Sequence, residues 1–407
     1  MLFLSRVIFS AGLLLFTLFN SGESIEIQIE SVEITHKFGD GIYFNLKTVP
    51  SKNLQSARVY VQSEDKKINV SSPLILSRPG QMNGVVDLNQ LHFSPFSTLS
   101  IWFEFDLIDG SNNLSKLHQY FYDDNRYEWK TIKTDEFVIS WYQDNLDLGG
   151  KILKVANESL TRIQNLINVP NPENIQIYVY SNTTDMRGAL TFSDNSTTWV
   201  AGHTTPDQKV VMVSIQTGVD QESEIQRQIP HELTHVLIYE KVGEEYTNLP
   251  RWLNEGLAST AEINPSPQYQ EILTKASDSK SLIPLEDLCI SFPQDSPNIQ
   301  LSYAESYSFV SFLQKKYGKE KIEELILSYS SNESCTEGIR NTFNTPLTEL
   351  EADWKQDTFN IIPFAILVKQ SMPLFIIVII AFLVPILMVG ILLVKAKKER
   401  NGNFNNL

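Results

Sequence analysis

The chain has 407 residues, with 48 acidic and 33 basic side chains and a formal net charge of −15. That length exceeds one ordinary domain and predicts two folded units with appendages. The acidic balance, with nothing more basic than single Lys-Lys pairs ahead of the C-terminal tail, argues against a nucleic-acid partner.

Taken in order, the chain opens with Arg6 and an apolar run from Val7 to Phe19, which reads as a secretory signal over residues 1–22. Asn20-Ser21-Gly22 supplies small residues but no Ala-x-Ala pattern, so the segment is either cleaved or kept as an anchor. From Ile25 to about Glu128, apolar and polar residues alternate, as in Ile25-Glu26-Ile27-Gln28-Ile29 and Ile101-Trp102-Phe103-Glu104-Phe105. Turn clusters such as Gly39-Asp40-Gly41 and Asp109-Gly110-Ser111 separate the runs. This pattern predicts an all-β, immunoglobulin-like sandwich over residues 23–130. No Cys…Trp…Cys signature accompanies it, so the likeness concerns architecture alone, and the expected role is spacing or docking. His36, His92 and His118 are scattered along it and read as surface or packing residues.

Residues 131–360 predict an α+β domain. Phe137–Tyr142, Ile175–Tyr180 and Lys209–Ile215 read as strands, and Leu146–Ile167 has helical spacing. The last of these strands is expected to lie along a cleft as an edge. Its unpaired N–H and C=O groups could there pair with an extended peptide.

The chemistry is carried by His231-Glu232-Leu233-Thr234-His235, inside a helix read from about Glu222 to Lys241. Histidines at i and i+4 share one helical face and can offer two imidazole nitrogens to one zinc ion, with Glu232 beside them. A catalytic zinc needs three protein ligands and an open position. Glu255, in Trp252-Leu253-Asn254-Glu255-Gly256 on a second helix, is the third. Pro250 suits the first turn of that helix, and Gly256 is expected to let the two helices pack closely. Pro230 lacks an N–H, so the first helix either kinks there or begins near it. The alternative is an ordinary amphipathic helix whose histidines face solvent or core.

Further helices are predicted over Ser266–Lys275, Leu301–Tyr317, Glu320–Ser328 and Pro346–Phe359, with an irregular stretch before Gln300. The two cysteines, Cys289 and Cys335, could form one disulfide or remain thiols. After a juxtamembrane linker at 361–372, Pro373–Val394 is uncharged and about 33 Å long as a helix, which matches a bilayer core. Lys395, Lys397, Lys398 and Arg400 follow it, so residues 395–407 are expected in the cytoplasm. The expected location is the cell membrane, single-pass, with the folded units extracytoplasmic.

The two motifs resemble those of the gluzincins, zinc metallopeptidases whose ligands are both histidines of HExxH and a glutamate on a following helix. Asn254-Glu255-Gly256-Leu257-Ala258 looks like the M1 aminopeptidases and the broader peptidase MA-like domains, and the resemblance covers roughly Thr134 to Phe359. It implies Zn2+ held by His231, His235 and Glu255, with Glu232 as general base toward zinc-activated water and a peptide or protein as substrate. Thermolysin-like enzymes use a downstream histidine for the oxyanion, but no histidine follows His235. M1 relatives use a tyrosine from a later helix, which implies Tyr303 ahead of Tyr307, with simple packing as the alternative for either. Nothing matches the M1 Gly-x-Met-Glu-Asn stretch, so an endopeptidase is favoured over an aminopeptidase. Ser259 replaces the orienting aspartate of thermolysin-like enzymes, leaving Glu262 to take that part. His203 reads as a loop histidine of the kind usually solvated. The expectation is a membrane-anchored zinc peptidase; the alternative is a catalytically inactive gluzincin-fold surface scaffold or adhesion protein, against which the intact Glu232 speaks.

Overall fold

The computed structural model describes residues 27–49, 54–64, 67–190, 202–293 and 296–360, together with isolated positions between 379 and 393. The signal at 1–22, the linker at 361–372 and the tail at 395–407 lie outside the described residues, as does the 373–394 span apart from those positions. Among the described residues, no helix is long and apolar enough to cross a membrane.

The chain divides into two compact units, Met1–Arg126 and Tyr127–Leu407. The division falls ahead of residue 130 because the intervening aromatics pack into the second unit. Tyr127 stacks on Tyr142 at 4.1 Å between ring centres, and Trp129 meets Tyr178 and Tyr180 edge-on.

The first unit is all β. Its strands are β1 (Gln28–Lys37), β2 (Gly41–Val49), β3 (Leu54–Gln62), β4 (Asn69–Arg78), β5 (Gln81–Asp87), β6 (Ser97–Leu107), β7 (Asn112–Leu114) and β8 (His118–Tyr122). They pair in the order β1-β2-β5-β4-β3-β6-β7, with β8 also on β6. Alternate residues face inward, including Ile42, Phe44 and Leu46 on β2 and Ile101, Phe103 and Phe105 on β6. Phe44 and Phe103 touch edge-to-face at 6.1 Å, although β5, β4 and β3 separate their strands along the sheet. The sheet therefore folds over its own apolar face and encloses one core. His36 is a packing residue, bonded through its ring nitrogens to the Tyr120 hydroxyl and the Asp123 carbonyl, each at 2.7 Å.

The second unit begins with β9 (Lys130–Lys133), β10 (Phe137–Trp141), α1 (Leu148–Leu166), β11 (Ile175–Tyr180), α2 (Thr183–Leu190), β12 (Gly202–Thr205) and β13 (Val210–Ser214). Its sheet runs β12-β13-β11-β10-β9. β10, β11 and β13 are parallel and largely buried, which explains their mostly apolar runs. β13 is thus an interior strand. The edge belongs to β12, antiparallel to β13, which corrects the expectation that the last strand before the helix lies at the edge.

Helices follow: α3 (Gln221–Val242), α4 (Arg251–Ala261), α5 (Gln268–Asp278), α6 (Ser296–Tyr317), α7 (Lys319–Ser330), α8 (Cys335–Phe343) and α9 (Leu347–Phe359). One core joins sheet and helices, with Ile229, Leu233, Trp252, Leu257, Phe309 and Trp354 all fully buried. Gly256 serves a different neighbour from the one expected: a Cβ there would stand 2.5 Å from the Ser306 carbonyl oxygen and from Val310 Cγ2. It lets α4 lie against α6, not α3. Cys289 and Cys335 are joined in a disulfide, which places Cys289 at the start of α4. Its carbonyl accepts the Arg251 N–H at 2.9 Å, and the Leu288 carbonyl accepts the Trp252 N–H at 3.1 Å.

Glu305 is wholly buried on α6, where its Oε1 accepts the Ile283 N–H at 2.9 Å. Its Oε2 has no hydrogen-bond partner among the described residues. Burial, with Glu351 adding to it against Ile283 and Lys355, pushes its carboxyl up to about 8. The folded chain then holds a proton that the unfolded chain, titrating near 4.5, releases. This contribution to stability is complete below pH 4.5, declines as pH rises and is gone above pH 8. The slope between is up to about 1.4 kcal/mol per pH unit. Urea unfolding across that window should show the decline, and Glu305→Gln should flatten it.

Candidate metal centre

Two helices build the site. On α3, His231 and His235 are one turn apart, with ring centres 5.2 Å from each other. Glu255 on α4 turns Oε2 toward both, 3.3 Å from His231 Nε2 and 3.8 Å from His235 Nε2. One ligand atom from each of the three lies within 4.8 Å of the others.

The opposite nitrogen of each ring is already held. His231 Nδ1 is 2.9 Å from Glu262 Oε1, so Glu262 orients this ring where Ser259 cannot. His235 Nδ1 is 3.1 Å from Asn254 Oδ1 and 3.2 Å from the Tyr246 hydroxyl, which also accepts from Asn254 Nδ2 at 2.7 Å. These contacts leave Nε2 of each histidine for a cation and fix its direction. A pocket that offers two imidazole nitrogens and one carboxylate oxygen, all largely buried, suits zinc.

Pro230 belongs to the same construction. Helix α3 passes through it, so the Gln226 carbonyl loses its usual intrahelical donor. That carbonyl accepts instead from Ile263 N–H at 3.0 Å. The bond ties the end of α4 to α3 beside Glu262, the partner of His231.

Electrostatics follow from this packing. Burial pulls His231 down, but Glu255 and Glu262 outweigh it and raise the imidazole to about 10. Burial would raise Glu255, yet Arg251 and the two histidines bring it to about 2. His235 is lowered, chiefly by burial.

Glu232 is buried beside β12. The Thr204 hydroxyl donates to its Oε2 at 2.5 Å, and a side chain at Gly202 would collide with its carboxyl group. His203, on the same strand, is half-buried and feels the charges of Glu232 and His235. It therefore sits on an edge strand beside the cluster, not on a solvated loop. Tyr303 on α6 has its ring 6.2 Å from that of His231 and feels the charge of Arg251. Tyr307 leans on Tyr269 instead. Sequence reasoning missed Asn254, Tyr246 and Arg251; the only signal for any of them was the position of Asn254 beside Glu255.

A mixed sheet with an antiparallel edge, an HExxH helix and a glutamate-bearing helix crossing it define a gluzincin-like peptidase domain. The Peptidase MA superfamily profile matches residues 155–360, half of the 407-residue chain, and the chain belongs to that superfamily. No curated protein matches it. Among solved structures it is similar to an M1 zinc metallopeptidase from Deinococcus radiodurans, with 11% identity over 82% of this chain and 94% of that one and a TM-score of 0.34. It is also similar to OgpA from Akkermansia muciniphila, with 22% identity over 24% of this chain and 27% of that one and a TM-score of 0.20. The alignment thus spans about a quarter of OgpA's length.

Proposed function

We propose that the chain is a membrane-anchored, extracytoplasmic zinc peptidase. The observation that supports this most is the convergence of His231, His235 and Glu255 beside a buried Glu232, in a member of a peptidase superfamily. Zinc in that pocket would supply Lewis acidity toward a peptide carbonyl and make water more acidic. The chain's own groups do the rest. Glu232 takes a proton from the attacking water and gives it to the leaving amine, while Thr204 keeps its carboxylate from swinging away. Tyr303 donates a hydrogen bond to the developing oxyanion; its hydroxyl stays protonated because burial pushes it far up. The outer edge of β12 receives an extended peptide by main-chain pairing. No free-amine pocket of the M1 type is written in the sequence, so internal cleavage is the expected mode.

Residues 373–394 anchor the protein, and the first unit serves in spacing or docking. The basic residues after the span favour a cytoplasmic tail.

The test is metal content of the purified full-length chain, followed by exposure to an unbiased peptide pool with and without a chelator. About one zinc per chain, and cleavage that chelation abolishes and zinc restores, is the expected result. Zinc retention with an untouched pool would return the protein to the scaffold alternative.

A further inference from the structure

The two carboxylate oxygens of Glu255 face different partners. Oε2 is directed at His231 and His235, whereas Oε1 lies 2.8 Å from Arg251 Nη2. Arg251 stands one helical turn before Glu255, so α4 itself sets the pairing. The guanidinium also lies over the Phe292 ring, 5.7 Å from its centre. Its backbone N–H is fixed by the Cys289 carbonyl. The residue is therefore held by its backbone and by the Phe292 ring while it pairs with Glu255.

We infer that Arg251 is a positioning residue that makes Glu255 a one-oxygen ligand. A free carboxylate can grip a cation with both oxygens. With Oε1 paired to a guanidinium, that grip would disrupt a close ion pair on a buried carboxylate. Only Oε2 remains, which preserves the open coordination position that a catalytic zinc requires. The planar guanidinium meets Glu255 Oε1 while lying over the Phe292 ring, a geometry that a point-charge ammonium cannot reproduce. The inference rests on the zinc reading of the site.

Charge alone predicts the opposite outcome from positioning. A cation beside a cation is repelled, so removing a bystander arginine should tighten metal binding. Removing a positioning arginine should weaken it. The experiment measures Zn2+ affinity of the full-length chain by competition with a chromophoric chelator, and the visible spectrum of the Co2+-loaded chain, for wild type, Arg251→Met and Arg251→Lys. Both variants are expected to lose about tenfold or more in Zn2+ affinity, the usual effect of removing a ligand's orienting partner. Both are also expected to lose Co2+ visible intensity as the coordination number rises. Equal or tighter Zn2+ binding with an unchanged Co2+ spectrum would overturn the inference. If Arg251→Met loses its cooperative thermal transition, Arg251→Lys, which keeps the charge, decides alone. A wild-type chain that takes up neither ion would instead sink the zinc reading, and this inference with it.

Discussion

Replacing Glu232 with Gln should lower peptide hydrolysis by about two to four orders of magnitude, the usual share of general acid–base catalysis. Metal content should stay at the wild-type level. The substitution keeps the shape of the side chain and an oxygen able to accept the Thr204 hydroxyl, so the contact at 2.5 Å survives. It removes the one property that matters to the reaction, the ability to take up a proton. His231, His235 and Glu255 are untouched, so the pocket should load as before. Single-turnover cleavage of any peptide that the wild type cuts, with metal analysis of the same sample, checks both halves. Undiminished cleavage would remove Glu232 from the reaction.

Gly256→Ala should destabilise the second unit. The added carbon would press on the Ser306 carbonyl oxygen and Val310 Cγ2, each 2.5 Å away, and the first of these is backbone. Relief requires α4 and α6 to part. Overpacking of this kind costs about 1–3 kcal/mol, sometimes more. The displacement also has a functional side, because Glu255 rides on α4 and Tyr303 on α6. Thermal unfolding should show a lowered Tm, and zinc retained at low temperature should bind more weakly. An unchanged Tm would mean that the helices are less closely packed than described.

What could be read from the sequence was what depends on local pattern. Mostly apolar runs gave β10, β11 and β13, and the spacing of two short motifs gave His231, His235, Glu232 and Glu255. β12 was missed because Gly202-His203-Thr204-Thr205 lacks apolar alternation; it is a strand only because β13 offers it a partner. α2 and α8 are too short and polar to stand out. Pro230 looked like a defect, and its purpose became visible only with the N–H of Ile263 beside the carbonyl it frees. Asn254, Tyr246 and Arg251 act through contacts that the fold creates, and no spacing rule announces them. Glu262 was legible only by asking what replaces the aspartate absent at Ser259.

The sulfur bridge has a topological result. Joining Cys289 to Cys335, 46 positions apart, closes a ring that contains α6 and α7, with its clasp bonded through main-chain amides to the first turn of α4. Tyr303 therefore travels on a covalent loop whose knot is tied at the foot of the helix bearing Glu255. Closing a ring of that size removes conformational freedom from the unfolded chain, so the bridge steadies the helices that carry Tyr303.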